Sequence, residues 1–256
     1  MPGLESVALA CCNAALMLYL AAGVVAVARP AWGRWPLIAG ALAQAAGMVA
    51  RGVAIGYFPL TNKFESFSAA SLAVALVAAA TWRPVRAYSI PLVAVAAAAL
   101  AAALRFPADL AFPPPLMRTV WYPLHIPLSF GAYGLWTAAA AASIAWLADR
   151  EGEAGRRWLA AIDRFALLGF GAWSLGMICG GVWGVLAWGA YFLWDPKVVW
   201  SVVLWFHYAS LTHVRYAPSL RARDSIRPAL ALAGFAFVFV AYVGTSFFFG
   251  RSSHAF

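Results

Sequence analysis

The chain has 256 residues, of which 64% are hydrophobic and 11% are charged, and its formal net charge is +9. Such a composition excludes an ordinary water-soluble domain and indicates an integral membrane protein, because most of its side chains must face lipid or other helices. The basic residues are spread among polar segments rather than gathered into one patch, which argues against a nucleic-acid partner.

Eight apolar runs of roughly 20 residues, the length that crosses ~30 Å of hydrocarbon as a helix, follow one another along the chain. They cover residues 6–28, 35–57, 64–82, 88–106, 120–147, 165–187, 198–213 and 228–249. The runs are continuous and lack the alternation of apolar and polar residues that a membrane β-barrel requires. We therefore predict an all-α, polytopic membrane helix bundle with about eight transmembrane helices, forming one membrane domain over residues 1–256. The first span has no signal-peptide pattern and is expected to be retained.

Arg and Lys divide unevenly between the two sets of connecting segments. Segments after the first, third, fifth and seventh spans carry twelve of the eighteen cations, and short loops rich in Lys and Arg stay in the cytoplasm. The sequence therefore predicts both termini on the outer, extracytoplasmic side. On this topology His125, the break between spans six and seven, and His254 all lie at the outer face, whereas His213 lies at the cytoplasmic end of span seven.

Three polar connections carry further expectations. Glu65 is expected to cap the start of span three, with membership of the site as the alternative. Residues 106–119 include three consecutive prolines and predict a stiff outer loop leading to His125. Residues 149–163 predict a short polar cytoplasmic connection with one helical turn or more.

Residues 183–200, here called the Trp-rich segment, place indoles, a carboxylate and an ammonium in a short break between apolar runs. These groups belong to Trp188, Trp194, Trp200, Asp195 and Lys197. Indoles also gather at membrane interfaces without binding anything. Binding of a planar, apolar and anionic ligand explains better than interfacial anchoring why these indoles lie at the same outer membrane face as two histidines. Haem iron takes two axial imidazoles, and its propionates pair with cations such as Lys197, Arg118 or Arg251.

Three stretches together resemble the CcsA (ResC) family of haem-handling membrane proteins in cytochrome c biogenesis. Residues 188–200 are similar to the family's Trp-rich WWD signature, residues 58–66 to its PLxNxYES stretch, and residues 211–215 to its LHTR segment. The resemblance extends from residue 57 to the C-terminus. Phe192 stands where the family usually has its middle Trp, and Val198 stands where Glu is usual.

The resemblance implies roles for three histidines. His125 and His254 match the external pair that ligates the iron of haem b, and His213 matches the membrane histidine that holds haem nearer the cytoplasm. His213 is alternatively an interfacial polar residue, and His207 is expected to be a hydrogen-bonding packing residue. The porphyrin platform would consist of Trp188, Trp194 and Trp200. Asp195 is expected to support that platform, by a loop-shaping ion pair with Lys197, rather than to transfer protons.

By the same resemblance, the protein transports haem b across the membrane and presents it for thioether attachment to the Cys-x-x-Cys-His of apocytochrome c. It would be a subunit of a cytochrome c synthase (haem lyase) in the bacterial plasma (inner) membrane, with the plastid thylakoid membrane as the alternative. Spans one to four contain no histidine, and the resemblance implies that a CcsB/ResB-type membrane subunit supplies the second inner ligand. Cys11, Cys12 and Cys179 form no haem-attachment motif of their own.

Two other function classes remain open from the residues. A haem exporter or chaperone of the CcmC kind would bind haem externally and make no covalent bond. An electron-transfer membrane b-type cytochrome would hold permanent haems between paired histidines. Four histidines scattered over two spans and a tail disfavour the second class.

Overall fold

A computed structural model describes residues 2–221 and 223–247, and the regular elements in these ranges are all helical. The α-helices are α1 Pro2–Ala28, α2 Arg34–Ile55, α3 Lys63–Ala80, α4 Arg86–Ala103, α5 Trp121–Ala148, α6 Gly152–Trp188, α7 Pro196–His213, α8 Pro218–Arg221, α9 Ile226–Phe239 and α10 Thr245–Phe247. Two 3-10 turns, Pro115–Met117 and Val214–Tyr216, and a π-helical turn, Val240–Gly244, complete the set. The predicted all-α membrane fold is confirmed.

Seven of the described helical segments are long and apolar enough to cross a membrane. They comprise α1 to α6 and the segment Ile226–Gly244. α7 coincides with the predicted seventh span but carries two histidines and one lysine, and it is not among the seven. The chain is a multi-pass membrane protein, with an additional 18-residue helix where the seventh span was expected.

The polar connection predicted over residues 149–163 is mostly helical. α6 begins at Gly152 and continues without interruption for 37 residues. Its first turns contain Glu, Ala and Arg, which are good helix formers, and Glu153 pairs with Arg157 one turn later at 2.9 Å. The helix therefore extends well beyond the apolar run that marked the sixth span.

The described residues form two compact units that divide after Pro123. In the first unit α1 packs closely on α2, where a Cβ built on Gly40 would lie 2.7 Å from the Tyr19 ring. The Tyr19 hydroxyl donates to the Gln44 amide oxygen at 2.6 Å, and the Gln44 amide nitrogen donates to the Ser68 carbonyl at 2.8 Å. Buried polar groups thus satisfy one another across α1, α2 and α3, as hydrocarbon requires. The expectation of a single membrane domain stays a prediction.

One charged residue, Arg51, falls inside the second predicted span rather than in a connecting segment. Arg51 lies inside α2 and is 1% exposed, and its Nε donates to Glu65, which is 0% exposed, at 2.8 Å. Its other two guanidinium nitrogens donate to the carbonyls of Ala108 and Asp109 at 2.6 and 3.0 Å. A buried guanidinium is tolerated here because its donors are paired. The pair fixes the loop after α4 to the ends of α2 and α3.

The start of α3 is capped by Asn62, whose side chain accepts from the Glu65 N–H at 2.9 Å. The Glu65 carboxylate reaches back to accept from the backbone N–H and the hydroxyl of Thr61 at 2.7 and 2.8 Å. Glu65 therefore shares in capping the helix start, as expected, and its second oxygen accepts from Arg51.

Tyr57 joins the end of α2 to the loop before α5. Its hydroxyl donates to the Met117 and Thr119 carbonyls. Burial raises the pKa of the Tyr57 phenol, although the positive charge of Arg118 acts in the opposite direction.

Candidate functional site

His125 lies in the second turn of α5, half-buried against α6. Its Nδ1 is 2.7 Å from the Gly176 carbonyl oxygen. Since a carbonyl only accepts, Nδ1 carries the proton and Nε2 keeps its lone pair. This is the arrangement in which metal-ligating histidines are usually held, one ring nitrogen donating to a carbonyl and the other free to bind.

A glycine on α6 makes room for the His125 ring. A Cβ built on Gly180 would lie 2.7 Å from Nδ1 and 2.8 Å from Cε1 of His125. Any side chain at position 180 would displace the ring or the helix. Gly176 and Gly180, one turn apart, therefore give the imidazole its hydrogen bond and its space.

The Trp-rich segment comprises the end of α6, the break after it and the start of α7. Gly189 adopts φ 74°, the left-handed conformation that glycine favours, and its N–H bonds to the Val185 carbonyl at 2.9 Å. α7 begins with Pro196 in its first position, and the Asp195 side chain accepts from the Lys197 N–H at 2.8 Å. Asp195 is 5% exposed. Its observed contact is that of an N-cap, which also places negative charge at the positive end of the helix.

The Trp-rich segment folds back onto the last turns of α6. A Cβ built on Gly184 would lie 3.0 Å from the Ala190 carbonyl oxygen, and one on Gly181 would lie 3.8 Å from the Tyr191 ring. His125 and the Trp-rich segment therefore meet along the same two turns of α6.

The indoles of the Trp-rich segment lie in different surroundings. Trp183 is buried and meets Trp188 edge-on, with ring centroids 4.7 Å apart. Trp194 is 88% exposed and stands perpendicular to Phe192 at 5.2 Å. Trp200 is half-buried on α7 and packs against Phe237 of α9 at 6.0 Å. Trp194 therefore offers an open aromatic face, whereas Trp200 is shared with helix packing.

The two histidines of α7 lie in different surroundings. His207 has Nε2 2.8 Å from the Leu230 carbonyl and packs on Phe237, as expected of a packing residue. His213 is exposed at the end of α7, and its Nδ1 is 2.7 Å from the Ala209 carbonyl. In the neutral imidazole this hydrogen bond leaves the lone pair on Nε2. The 18 residues of α7 span ~27 Å, so His213 and the Trp-rich segment lie at opposite ends of one helix.

A family model for the cytochrome C assembly protein matches residues 40–250 of the chain. The chain belongs to the cytochrome c assembly protein family. It is 26% identical over 326 residues to the cytochrome c biogenesis protein CcsA of Synechococcus sp. (strain JA-3-3Ab), covering 99% of this chain and 94% of that protein. It is 29% identical over 257 residues to CcsA of Prochlorococcus marinus (strain MIT 9303), covering 80% of this chain and 78% of that one. Within the family the chain belongs with CcsA, and its role lies in cytochrome c biogenesis.

The fold is also similar to that of a solved structure, the Cytochrome c Heme Lyase CcmF. The two superpose with a TM-score of 0.72 at 18% sequence identity, over 98% of this chain. The match covers 47% of that chain, so this family member spans about half its length. At this identity the likeness concerns the fold alone.

For this family member, the structure brings one predicted iron ligand, His125, together with the Trp-rich segment. It places His213 at the far end of α7, and His254 lies outside the residues that the structure describes. Within the described ranges, no group of three or more His, Cys, Asp and Glu side chains is placed to hold a metal ion.

Sequence reasoning missed an aromatic cluster inside the second unit. Trp136 of α5 stacks flat on Tyr208 of α7, with centroids 3.7 Å apart and an interplanar angle of 1°. Trp173 of α6 lies 5.5 Å from Trp136 and 5.2 Å from Tyr133. The signal was the recurrence of aromatic residues every third position in Phe130, Tyr133 and Trp136, which marks one helix face.

Proposed function

We propose that this protein binds haem b as its substrate and presents it at the Trp-rich segment for covalent attachment to apocytochrome c. The observation that carries the proposal is the state of His125, whose Nδ1 is fixed by the Gly176 carbonyl while Nε2 is left as a ligand. The exposed indole of Trp194, in the segment that follows the same helix, supplies a face on which a porphyrin can stack.

The proposed division of roles follows from these contacts. His125 and His254 are the axial ligands of the iron, and Trp188, Trp194 and Trp200 form the porphyrin platform. Asp195 supports the platform by capping α7, and Lys197 is the proposed partner of a propionate. The chain contributes chiefly by positioning the haem.

In the attachment step, each cysteine thiol of the Cys-x-x-Cys-His segment adds across a vinyl group of the haem. The sulfur bonds to one vinyl carbon and the thiol hydrogen goes to the other, so the addition needs no external oxidant. The protein would therefore act as a subunit of a cytochrome c synthase, in the bacterial plasma membrane. It would work with a CcsB/ResB-type membrane subunit.

Haem is proposed to arrive at an inner site that includes His213 and to move to the outer site. The free Nε2 of His213 and its place at the opposite end of α7 support this second station. α7 would then connect the two stations of the transport path.

Histidine variants of the complex with its partner subunit test the outer site. His125→Gly and His254→Gly are each expected to lose the outer haem's share of the low-spin bis-imidazole spectrum and to regain it with added imidazole. His207→Gly is the matched control, because His207 packs on α9 and holds no iron in this proposal. Full spectra in both variants without imidazole would contradict the proposal. Holocytochrome formation in the reconstituted complex would show covalent attachment of haem, which a protein that only exports haem does not perform.

A further inference from the structure

The end of α7 carries three exposed or half-exposed groups side by side. The 3-10 turn Val214–Tyr216 follows α7 directly, so His213, Arg215 and Tyr216 stand together. The rings of His213 and Tyr216 are 6.0 Å apart, and Tyr216 is 67% exposed. An imidazole with a free Nε2 thus lies beside an open aromatic face.

Arg215 carries a positive charge that no carboxylate in the described part of the chain compensates. Its guanidinium donates to the Tyr216 hydroxyl at 2.6 Å and lies 4.7 Å from the centre of the Tyr216 ring. Its Nε is buried and finds no acceptor among the described residues. A charged donor left without an acceptor is costly, and a carboxylate is the acceptor that fits a guanidinium best.

Arg227 provides the contrast within the same unit. Its Nε, like that of Arg215, has no acceptor among the described residues. Its two terminal nitrogens, however, donate to Asp163 at 3.0 Å and to Asp224 at 3.1 Å. Two carboxylates of the chain therefore compensate Arg227, whereas Arg215 is held in place by a neutral phenol. The difference indicates that Arg215 is prepared for an anion that the chain itself does not supply.

We propose that Arg215 binds a propionate carboxylate of the haem that His213 ligates, with Tyr216 orienting the guanidinium. This rests on the proposed inner haem station. Propionates extend from the porphyrin edge, while the iron lies at its centre. The iron ligand, His213, and the propionate partner, Arg215, therefore need to be neighbours rather than in contact. The ligand class is a metalloporphyrin with free carboxylates, and Arg215 is the residue that distinguishes it from a porphyrin without them.

The test compares haem with its dimethyl ester, in which both carboxylates are blocked. Each is titrated into the full chain in nanodiscs, in a His125→Gly background that weakens the outer station. The His125→Gly protein that retains Arg215 is expected to bind haem about tenfold tighter than the ester. Arg215→Gln is expected to bind both equally, at the affinity of the ester, and Arg223→Gln, which removes an equal charge from an exposed position, is expected to keep the preference.

An Arg215→Gln protein that keeps the tenfold preference, or that weakens both ligands by the same factor, would overturn the inference. Arg215→Met keeps the apolar stem and gives the same comparison if the Gln variant is not recovered. His213→Gly in the same background separates the two levels of the argument. If His213→Gly lowers the affinity for haem and for the ester equally, the inner station is supported whatever the Arg215 variants show. If it lowers neither affinity, the inner station and the role of Arg215 are both overturned.

Discussion

Single residues determine how His125 is presented. The imidazole has one hydrogen-bond acceptor, the Gly176 carbonyl, and one glycine, Gly180, against which its ring packs. A ligand that is fixed in this way binds iron without first having to be ordered. The first prediction concerns the glycine, since it touches no haem in the proposal and acts only through the ring.

Gly180→Ala is expected to push the His125 ring off the Gly176 carbonyl, because the added methyl would lie 2.7 Å from Nδ1. Loss of such a supporting contact lowers metal affinity by about 10- to 100-fold. Haem titration followed by the Soret band measures the change. Gly171→Ala on the same helix is the control, since a Cβ there meets nothing within 4 Å. Equal haem affinity in the two variants would show that Gly180 does not position the ring.

Arg51 and Glu65 form the other interaction that depends on single residues. Removing one partner of a buried ion pair leaves an uncompensated charge and costs about 3–5 kcal/mol. Arg51→Gln and Glu65→Gln are each expected to lower the free energy of unfolding in detergent by that amount. The control is Glu153→Gln, which breaks a pair with both side chains more than half exposed, and a change of about 0.5 kcal/mol or less is expected. Similar losses at the buried and the exposed pair would contradict the burial argument.

At the scale of elements, α6 and α7 form the support of the candidate site. The Trp173 indole of α6 donates to the Ser201 carbonyl of α7 at 3.2 Å, and the Trp205 indole of α7 donates to the Ser174 hydroxyl of α6 at 3.0 Å. These contacts hold the two helices that flank the Trp-rich segment. The start of α7 then depends on its N-cap.

Asp195→Ala is expected to destabilise the start of α7 by about 1 kcal/mol, because the Lys197 N–H loses its acceptor. Asp195→Asn keeps an oxygen acceptor and should leave both stability and holocytochrome yield near the original. Thermal unfolding and yield, measured on the two variants together, distinguish a cap from a charged functional group. A stable Asn variant with lost activity would show that the negative charge itself is required.

The elements also show what local sequence can and cannot predict. Apolar runs predict the helices because a helix that crosses hydrocarbon must be apolar along most of its length. The Asp-Pro step before α7 is a typical helix start, and it could have identified Asp195 as a cap. The pairing of Arg51 with Glu65 could not be seen, because a cation near the end of an apolar run looks like a loop residue. The space that Gly180 gives to His125 depends on how α5 meets α6, which no local pattern contains.

For the whole molecule, the proposal requires two haem stations at opposite ends of α7 and a second chain at one of them. The first four spans contain no histidine, so the partner subunit is expected to supply the second ligand for the iron at His213. The purified lone chain is then expected to lack the low-spin bis-imidazole signal that depends on His213, and the co-purified complex to show it. A His213-dependent bis-imidazole signal in the lone chain would contradict a shared inner station.

The most direct measurement is a cryo-electron microscopy map of the haem-loaded complex with its partner subunit. The account predicts iron bonded to Nε2 of His125, with Nδ1 still on the Gly176 carbonyl and the porphyrin lying against Trp194. Lipid density against the Trp-rich segment, with the His125 ring turned away from any haem, would contradict it.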